Sequence, residues 1–151
     1  MTNVAIAFGS NLGDRERHLH DAVAALEPLI AALRVSSFHD TDPVGVAPQP
    51  RFLNAAAVGR TDLSPDALLA ALLSIESQFG RERPYPGAPR TLDLDLILYG
   101  SAVVDRPGLT LPHPRFRERW FVLAPLAEVA AAWRDPVTGL TVAGLLARLN
   151  T

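Results

Sequence analysis

The sequence contains no cysteine, which excludes disulfides, thiolate catalysis and cysteine-ligated zinc or iron–sulfur centres on chemical grounds. Lysine is absent as well. All 14 basic residues are therefore arginine, so any phosphate clamp must be built from guanidinium forks, although so uniform a bias reads mainly as a codon-composition habit. The chain does not open with a basic segment followed by an apolar run, and it has no uninterrupted apolar stretch of spanning length. The cytoplasm is the expected setting. A net charge of -2 argues against a general electrostatic grip on nucleic acid while leaving room for a local basic pocket.

What is present is the composition of a folded protein. The chain has 151 residues, 48% of them hydrophobic and 20% charged, enough to close one core without staples. A single domain over residues 1–151 is expected. Val4, Ile6 and Phe8 alternate along a first strand (Asn3 to Phe8), and the apolar Ala5 and Ala7 between them predict burial on both faces. After the turn Gly9-Ser10-Asn11-Leu12-Gly13-Asp14, the residues Leu19, Val23, Leu26, Ile30 and Leu33 recur at helical spacing, with Pro28 placed to kink or end that helix early.

Arg34 to Thr41 and Phe52 to Arg60 read as strands on either side of a proline-rich surface loop, Asp42 to Pro50. Ser64-Pro65-Asp66 is a helix start, combining a capping hydroxyl, a proline at the first helical position and an early carboxylate. That helix presents Leu68, Leu69, Leu72, Ile75 and Phe79, and Gly80 ends it. The irregular segment Arg81 to Pro89 leads into a strand, Arg90 to Tyr99. The order strand-helix-strand-strand-helix-strand, with two helices on one face of the sheet, predicts an α+β fold of ferredoxin-like sandwich type. A hairpin (Ala102 to Val104 with Leu109 to Leu111), a helical stretch from Trp120 to Ala132 and a final helix from Val142 to Leu149 complete the reading.

The chemistry concentrates on the strand Arg90 to Tyr99. Its period of two sends Leu92, Leu94, Leu96 and Leu98 into the core and leaves Asp93 and Asp95 side by side on the other face. Their Cα atoms should lie roughly 6.5 to 7 Å apart, within joint reach of one cation or a close pair. A merely solvated strand face is the plain alternative. Aspartate is a poor strand former, however, and like charges at this spacing are unfavourable unless something positive lies between them. An all-oxygen ligand set favours magnesium over zinc. Arg81, Arg83 and Arg90 precede the pair and His113, Arg115, Arg117 and Arg119 follow it, the components of phosphoryl transfer. Gly9-Ser10-Asn11-Leu12-Gly13 is no nucleotide loop, because the lysine that such a loop requires is missing.

Several motifs in order carry a resemblance. Gly9-Ser10-Asn11-Leu12-Gly13, Val35-Ser36-Ser37-Phe38, Phe52-Leu53-Asn54-Ala55-Ala56, Ile75-Glu76, Pro89-Arg90-Thr91-Leu92-Asp93-Leu94-Asp95-Leu96, Leu111-Pro112-His113-Pro114 and Arg119-Trp120-Phe121 together resemble the 6-hydroxymethyl-7,8-dihydropterin pyrophosphokinase family, from Val4 to about Leu126. The resemblance implies an enzyme of folate biosynthesis that moves the diphosphoryl group of ATP to a reduced hydroxymethylpterin and releases AMP. It implies Asp93 and Asp95 as ligands to two magnesium ions, with Arg81 and Arg90 steadying the transferring group. Arg83, Leu96, Leu109, Thr110, His113 and Arg119 would hold ATP. Phe52 and Phe121 would sandwich the pterin, Asn54 would read its amide edge, and the backbone of Thr41, Asp42, Pro43 and Val44 would read the rest. The partners implied are small molecules only, with no nucleic acid or membrane, and a monomer is expected.

Three departures from the best-known form of the family stand out: a Glu82 to Pro89 loop shorter by about one residue and without its tryptophan and arginine, Phe52 in place of tyrosine, and Pro114 in place of a second tyrosine. The segment Arg83 to Ala88 is expected to close over bound ligands. Two other readings compete. A ferredoxin-like nucleic-acid module would use an open sheet face, from which Asp93 and Asp95 would repel phosphodiesters. A scaffold domain would leave the convergent arginines without a purpose.

Overall fold

The computed structural model describes residues 1–41, 51–79 and 91–150. In chain order its elements are β1 (Thr2–Ser10), α1 (Arg15–Leu26), β2 (Ala31–Val35), β3 (His39–Thr41), β4 (Phe52–Thr61), α2 (Pro65–Gln78), β5 (Asp93–Tyr99), β6 (Val104–Arg106), β7 (Leu109–Leu111), α3 (Trp120–Ala130) and α4 (Val142–Leu149). The loop residues Asp42 to Pro50, Gly80 as the expected helix stop and the whole segment 81–90 lie outside the described residues. So does the expected lid.

Alternation in β1 commits both faces of the sheet to burial. Val4, Ile6 and Phe8 enter a core beneath α1 and α2, while Ala5 and Ala7 enter a second core beneath α3 and α4. β1 lies at the centre because it pairs antiparallel with β4 on one side and β5 on the other. β2 and β3 both pair with β4, giving the order β2-β4-β1-β5 of a ferredoxin-like sandwich. A separate two-stranded ribbon joins β6 to β7. Helices therefore cover the second face as well as the first, and the face that a nucleic-acid module would offer is occupied in part by α3.

Local chemistry sets the boundaries. The Ser64 hydroxyl accepts from the Ala67 N–H and Pro65 fills the first turn of α2, satisfying a helix end as its sequence predicts. Asp14 and Thr141 cap α1 and α4 in the same way. α1 stops at Leu26, two residues ahead of Pro28. Ile30 is buried in the turn that follows, and Leu33 lies on β2 rather than on the helix. The single strand expected from Arg34 to Thr41 is broken into β2 and β3, because the Ser36 hydroxyl takes the Ala56 N–H at 2.9 Å and turns the backbone between them.

One expectation on β5 is corrected. Leu94 and Leu96 join the first core, but Leu98 joins Ile97 in the second. The register against β1 runs from Leu96 opposite Ile6 to Leu98 opposite Ala5, so Ile97 is an extra residue. This bulge reverses the facing of every side chain beyond it. Asp93 and Asp95 precede the bulge and keep the orientation that their spacing predicts.

Candidate active site

Asp93 and Asp95 are half-buried on the second face of β5, opposite Gly9 and Ala7 of β1. β5 is the last strand of the sheet, so its outer backbone edge borders a cleft of about 530 Å³. The cleft brings together Asp93, Asp95, Leu96, Leu109, Thr110, His113 and Arg119, residues contributed by β5, β7 and the approach to α3. Leu69, Leu73 and Glu76 of α2 form the opposite wall.

Glu76 is buried, and its carboxylate accepts the Leu94 N–H at 2.7 Å, between the two aspartates. That N–H points away from β1. By the alternation of an antiparallel strand, the backbone of Leu96 also faces the cleft. The residue pattern alone assigns Glu76 no role. The available signal was a carboxylate on the apolar side of α2, one residue beyond Ile75.

His113 follows the cis peptide bond Leu111-Pro112. Its N–H donates to the Ile97 carbonyl at 3.0 Å, which ties the turn to β5 at the bulge. Its Nδ1 accepts the Arg115 N–H at 3.2 Å, leaving Nε2 to carry the proton of the neutral ring. Burial lowers the His113 pKa from its ordinary value; Asp95 opposes the shift, and Arg119 and Arg115 add to it. The ring is held as a neutral donor beside a carboxylate.

Arg119 precedes α3 and lies with its guanidinium carbon 5.7 Å from the centroid of the Phe121 ring. Arg117 belongs elsewhere. Its fork grips Asp135 at 2.5 and 2.9 Å, and Asp135 is fully buried with further hydrogen bonds from Val137 N–H and the Thr138 hydroxyl. Burial acts to raise the Asp135 pKa, but Arg117, Thr138 and the Val137 N–H outweigh it and hold the carboxyl at about 2. This pair anchors the turn between α3 and α4 rather than a phosphate.

On β4 the pleat sends Phe52 and Asn54 to the same face as Asp93. His39, Asn54, Gly9 and Asp93 stand in register across β3, β4, β1 and β5. The Asn54 amide donates to the buried Thr41 hydroxyl at 2.7 Å. Its carbonyl oxygen lies over Gly9, where a Cβ would come within 2.6 Å. Gly9 thus makes room for a side chain from the neighbouring strand. Phe121, in the first turn of α3, packs beside the second core on this same face.

Of the predicted site residues, Asp42, Pro43, Val44, Arg81, Arg83 and Arg90 lie outside the described residues. Among the described residues, no group of three or more histidines, aspartates or glutamates is placed to hold a metal ion. No described helix is long and apolar enough to cross a membrane.

A ferredoxin-like sandwich with two carboxylates, a neutral histidine and an arginine converging on a cleft at the sheet edge defines an α+β enzyme of small-molecule chemistry. Residues 5–131 match the model of the 7,8-dihydro-6-hydroxymethylpterin-pyrophosphokinase family, and the chain belongs to that family. It is 47% identical over 132 residues to the 2-amino-4-hydroxy-6-hydroxymethyldihydropteridine pyrophosphokinase of Bacillus subtilis, covering 85% of this chain and 79% of that protein. The protein of the same name from Methylorubrum extorquens is 41% identical over 152 residues, covering 99% and 95%. The fold also matches the crystal structure of Plasmodium falciparum HPPK-DHPS with pteroate, at a TM-score of 0.78 and 12% identity. That alignment covers 97% of this chain and 42% of the other.

Proposed function

We infer that this chain, as a pyrophosphokinase of that family, transfers the diphosphoryl group of ATP to 6-hydroxymethyl-7,8-dihydropterin in folate biosynthesis. The observation that carries the assignment of its site is the convergence of Asp93, Asp95, His113 and Arg119 on one cleft.

The donor set fits magnesium. Among the described residues the two carboxylates belong to no group of three or more such ligands, which suits an ion that keeps several waters and takes its remaining ligands from phosphates. Asp93 and Asp95 would hold two such ions, whose charge when bound neutralises the triphosphate and acidifies the pterin hydroxyl. The tautomer of His113 leaves Nε2–H to donate to a phosphate oxygen, and its neutrality avoids competition with a cation. Arg119 supplies a fork on the same side, while Arg81, Arg83 and Arg90 complete the arginine set. The backbone edge of Leu96 on the cleft side of β5, with Leu109 and Thr110, provides a surface for the nucleotide base.

The pterin occupies the second face of the sheet. Phe52 and Phe121 supply flat apolar surfaces, and Asn54, steadied by Thr41, reads the heterocycle edge together with the backbone of Asp42, Pro43 and Val44. The two substrates then meet at Asp93, which stands two strands from Asn54 in the same row. Catalysis on this plan is positioning and charge neutralisation, in a cytoplasmic setting. Incubation with magnesium, ATP and the reduced hydroxymethylpterin should yield AMP in step with pterin consumption. Release of ADP instead would overturn the diphosphoryl-transfer assignment.

A further inference from the structure

Ser37, His39 and Glu128 form a cluster away from the cleft, joining residues some ninety positions apart in sequence. The Ser37 N–H donates to one Glu128 carboxylate oxygen at 2.8 Å, and the Ser37 hydroxyl lies 2.9 Å from both. His39 Nε2 makes a short contact with the same carboxylate and lies 3.3 Å from the Ser37 hydroxyl. A carboxylate only accepts, so Nε2 carries the proton here. Burial works to raise the Glu128 pKa, but the Ser37 N–H, His39 and the Ser37 hydroxyl outweigh it and keep the carboxylate ionised.

The cluster does not contain the arrangement of a nucleophile and its base, since the serine and the histidine both spend their donors on one acceptor. Its location gives it another use. His39 is the direct cross-strand partner of Asn54 on β4. Glu128 lies seven residues after Phe121 on α3, two helical turns along and on nearly the same side of the helix. Between them stands Pro125, which has no N–H to give to the Phe121 carbonyl. The first turn of α3 is thereby less constrained from within the helix and depends more on contacts outside it.

We propose that the Ser37–His39–Glu128 cluster positions Phe121 over the strand that carries Phe52 and Asn54, and so sets the width of the pterin slot. Glu128 is a positioning residue, acting through α3 without touching ligand. The proposal rests on the pterin site described above.

The experiment measures the dissociation constants of the pterin and of a magnesium-bound nonhydrolysable ATP analogue separately, by calorimetry, in Glu128→Ala, Glu128→Gln, Ser37→Ala and Phe121→Ala. Glu128→Ala should weaken pterin binding about 5- to 20-fold while changing nucleotide binding less than 2-fold, a smaller loss than that of a direct charge-assisted contact because the residue acts through α3. Glu128→Gln should recover part of the loss, because one oxygen still accepts the Ser37 N–H. Ser37→Ala, a milder change that keeps the backbone donor, should give an intermediate effect, and the Ser37→Ala/Glu128→Ala double variant should lose little more than Glu128→Ala alone. If Phe121→Ala weakens pterin binding and the Glu128 and Ser37 variants do not, the slot stands and the positioning role is rejected. If Phe121→Ala itself leaves pterin affinity unchanged, the slot assignment is wrong and the proposal falls with it. Equal losses for both ligands in Glu128→Gln would reduce the cluster to a general stabiliser and also overturn the proposal.

Discussion

Replacing Gly9 by alanine separates stability from function with a single methyl group. Gly9 lies within β1, where glycine is normally unfavourable by about 0.5 to 1 kcal/mol relative to alanine. Its backbone needs no left-handed conformation, so strand propensity alone predicts a more stable variant. The structure predicts otherwise, because the new Cβ would lie 2.6 Å from the Asn54 carbonyl oxygen and 3.2 Å from the Leu53 carbonyl. An ordinary carbon–oxygen contact is roughly 0.7 Å longer than the first of these, and the carboxamide is the softer neighbour, so Asn54 moves. Movement breaks its 2.7 Å bond to the Thr41 hydroxyl, a loss of about 0.5 to 1.5 kcal/mol. The two stability terms nearly cancel, and the melting temperature should change by only a few degrees. Pterin affinity has no such compensation. A displaced Asn54 leaves the heterocycle edge unpaired at a cost of about 1 to 3 kcal/mol, or about 5- to 150-fold in Kd, with nucleotide affinity preserved. Calorimetric titration with each ligand, alongside thermal denaturation, reads both effects. A variant more stable than the parent with pterin Kd within threefold would refute the link between Gly9 and Asn54.

Asp95→Ala should abolish turnover while far-UV circular dichroism stays unchanged, since the side chain is half-buried on the site face and contributes to neither core; near wild-type rates at ordinary magnesium would contradict its role. Asp135 predicts an acid-sensitive contribution to stability. Its folded pKa of about 2 lies below the usual 3.8, so the contribution is fully present above the unfolded value and disappears as pH falls through about 2. The shift corresponds to about 2 kcal/mol, and the stability gap between wild type and Asp135→Asn should narrow by that amount between about pH 5 and pH 2 in urea denaturation. A gap that stays constant over this range would assign the stabilisation to something other than the Arg117 pair.

The parts of the site legible in sequence are those set by local rules. A period of two places Asp93 and Asp95 on one face whatever the rest of the chain does, and Ser64-Pro65-Asp66 starts α2 by chemistry confined to one turn. The bulge at Ile97 follows no local rule, since leucine and isoleucine in succession satisfy either core and only pairing with β1 decides. Ile30 and Leu33 continue a helical spacing past Pro28 by coincidence of two unrelated burial sites. Arg117 illustrates the same limit for charge: His113 and Arg119 on either side of it line the cleft, yet its partner is Asp135, eighteen positions away. The Glu128 cluster and the wall formed by Glu76 depend likewise on contacts made after the chain has folded.

The position of β5 has a second consequence. A terminal strand with open backbone groups invites a strand from another molecule to add to it, and proteins with such edges risk joining into aggregates. Here Glu76 occupies the Leu94 N–H, His113 occupies the Ile97 carbonyl, and the bulge at Ile97 spoils a straight register. Two negative charges flank the occupied N–H. The groups that shape the cleft thus also guard this border of the sheet, and neutralising both acids would remove part of that protection against self-association.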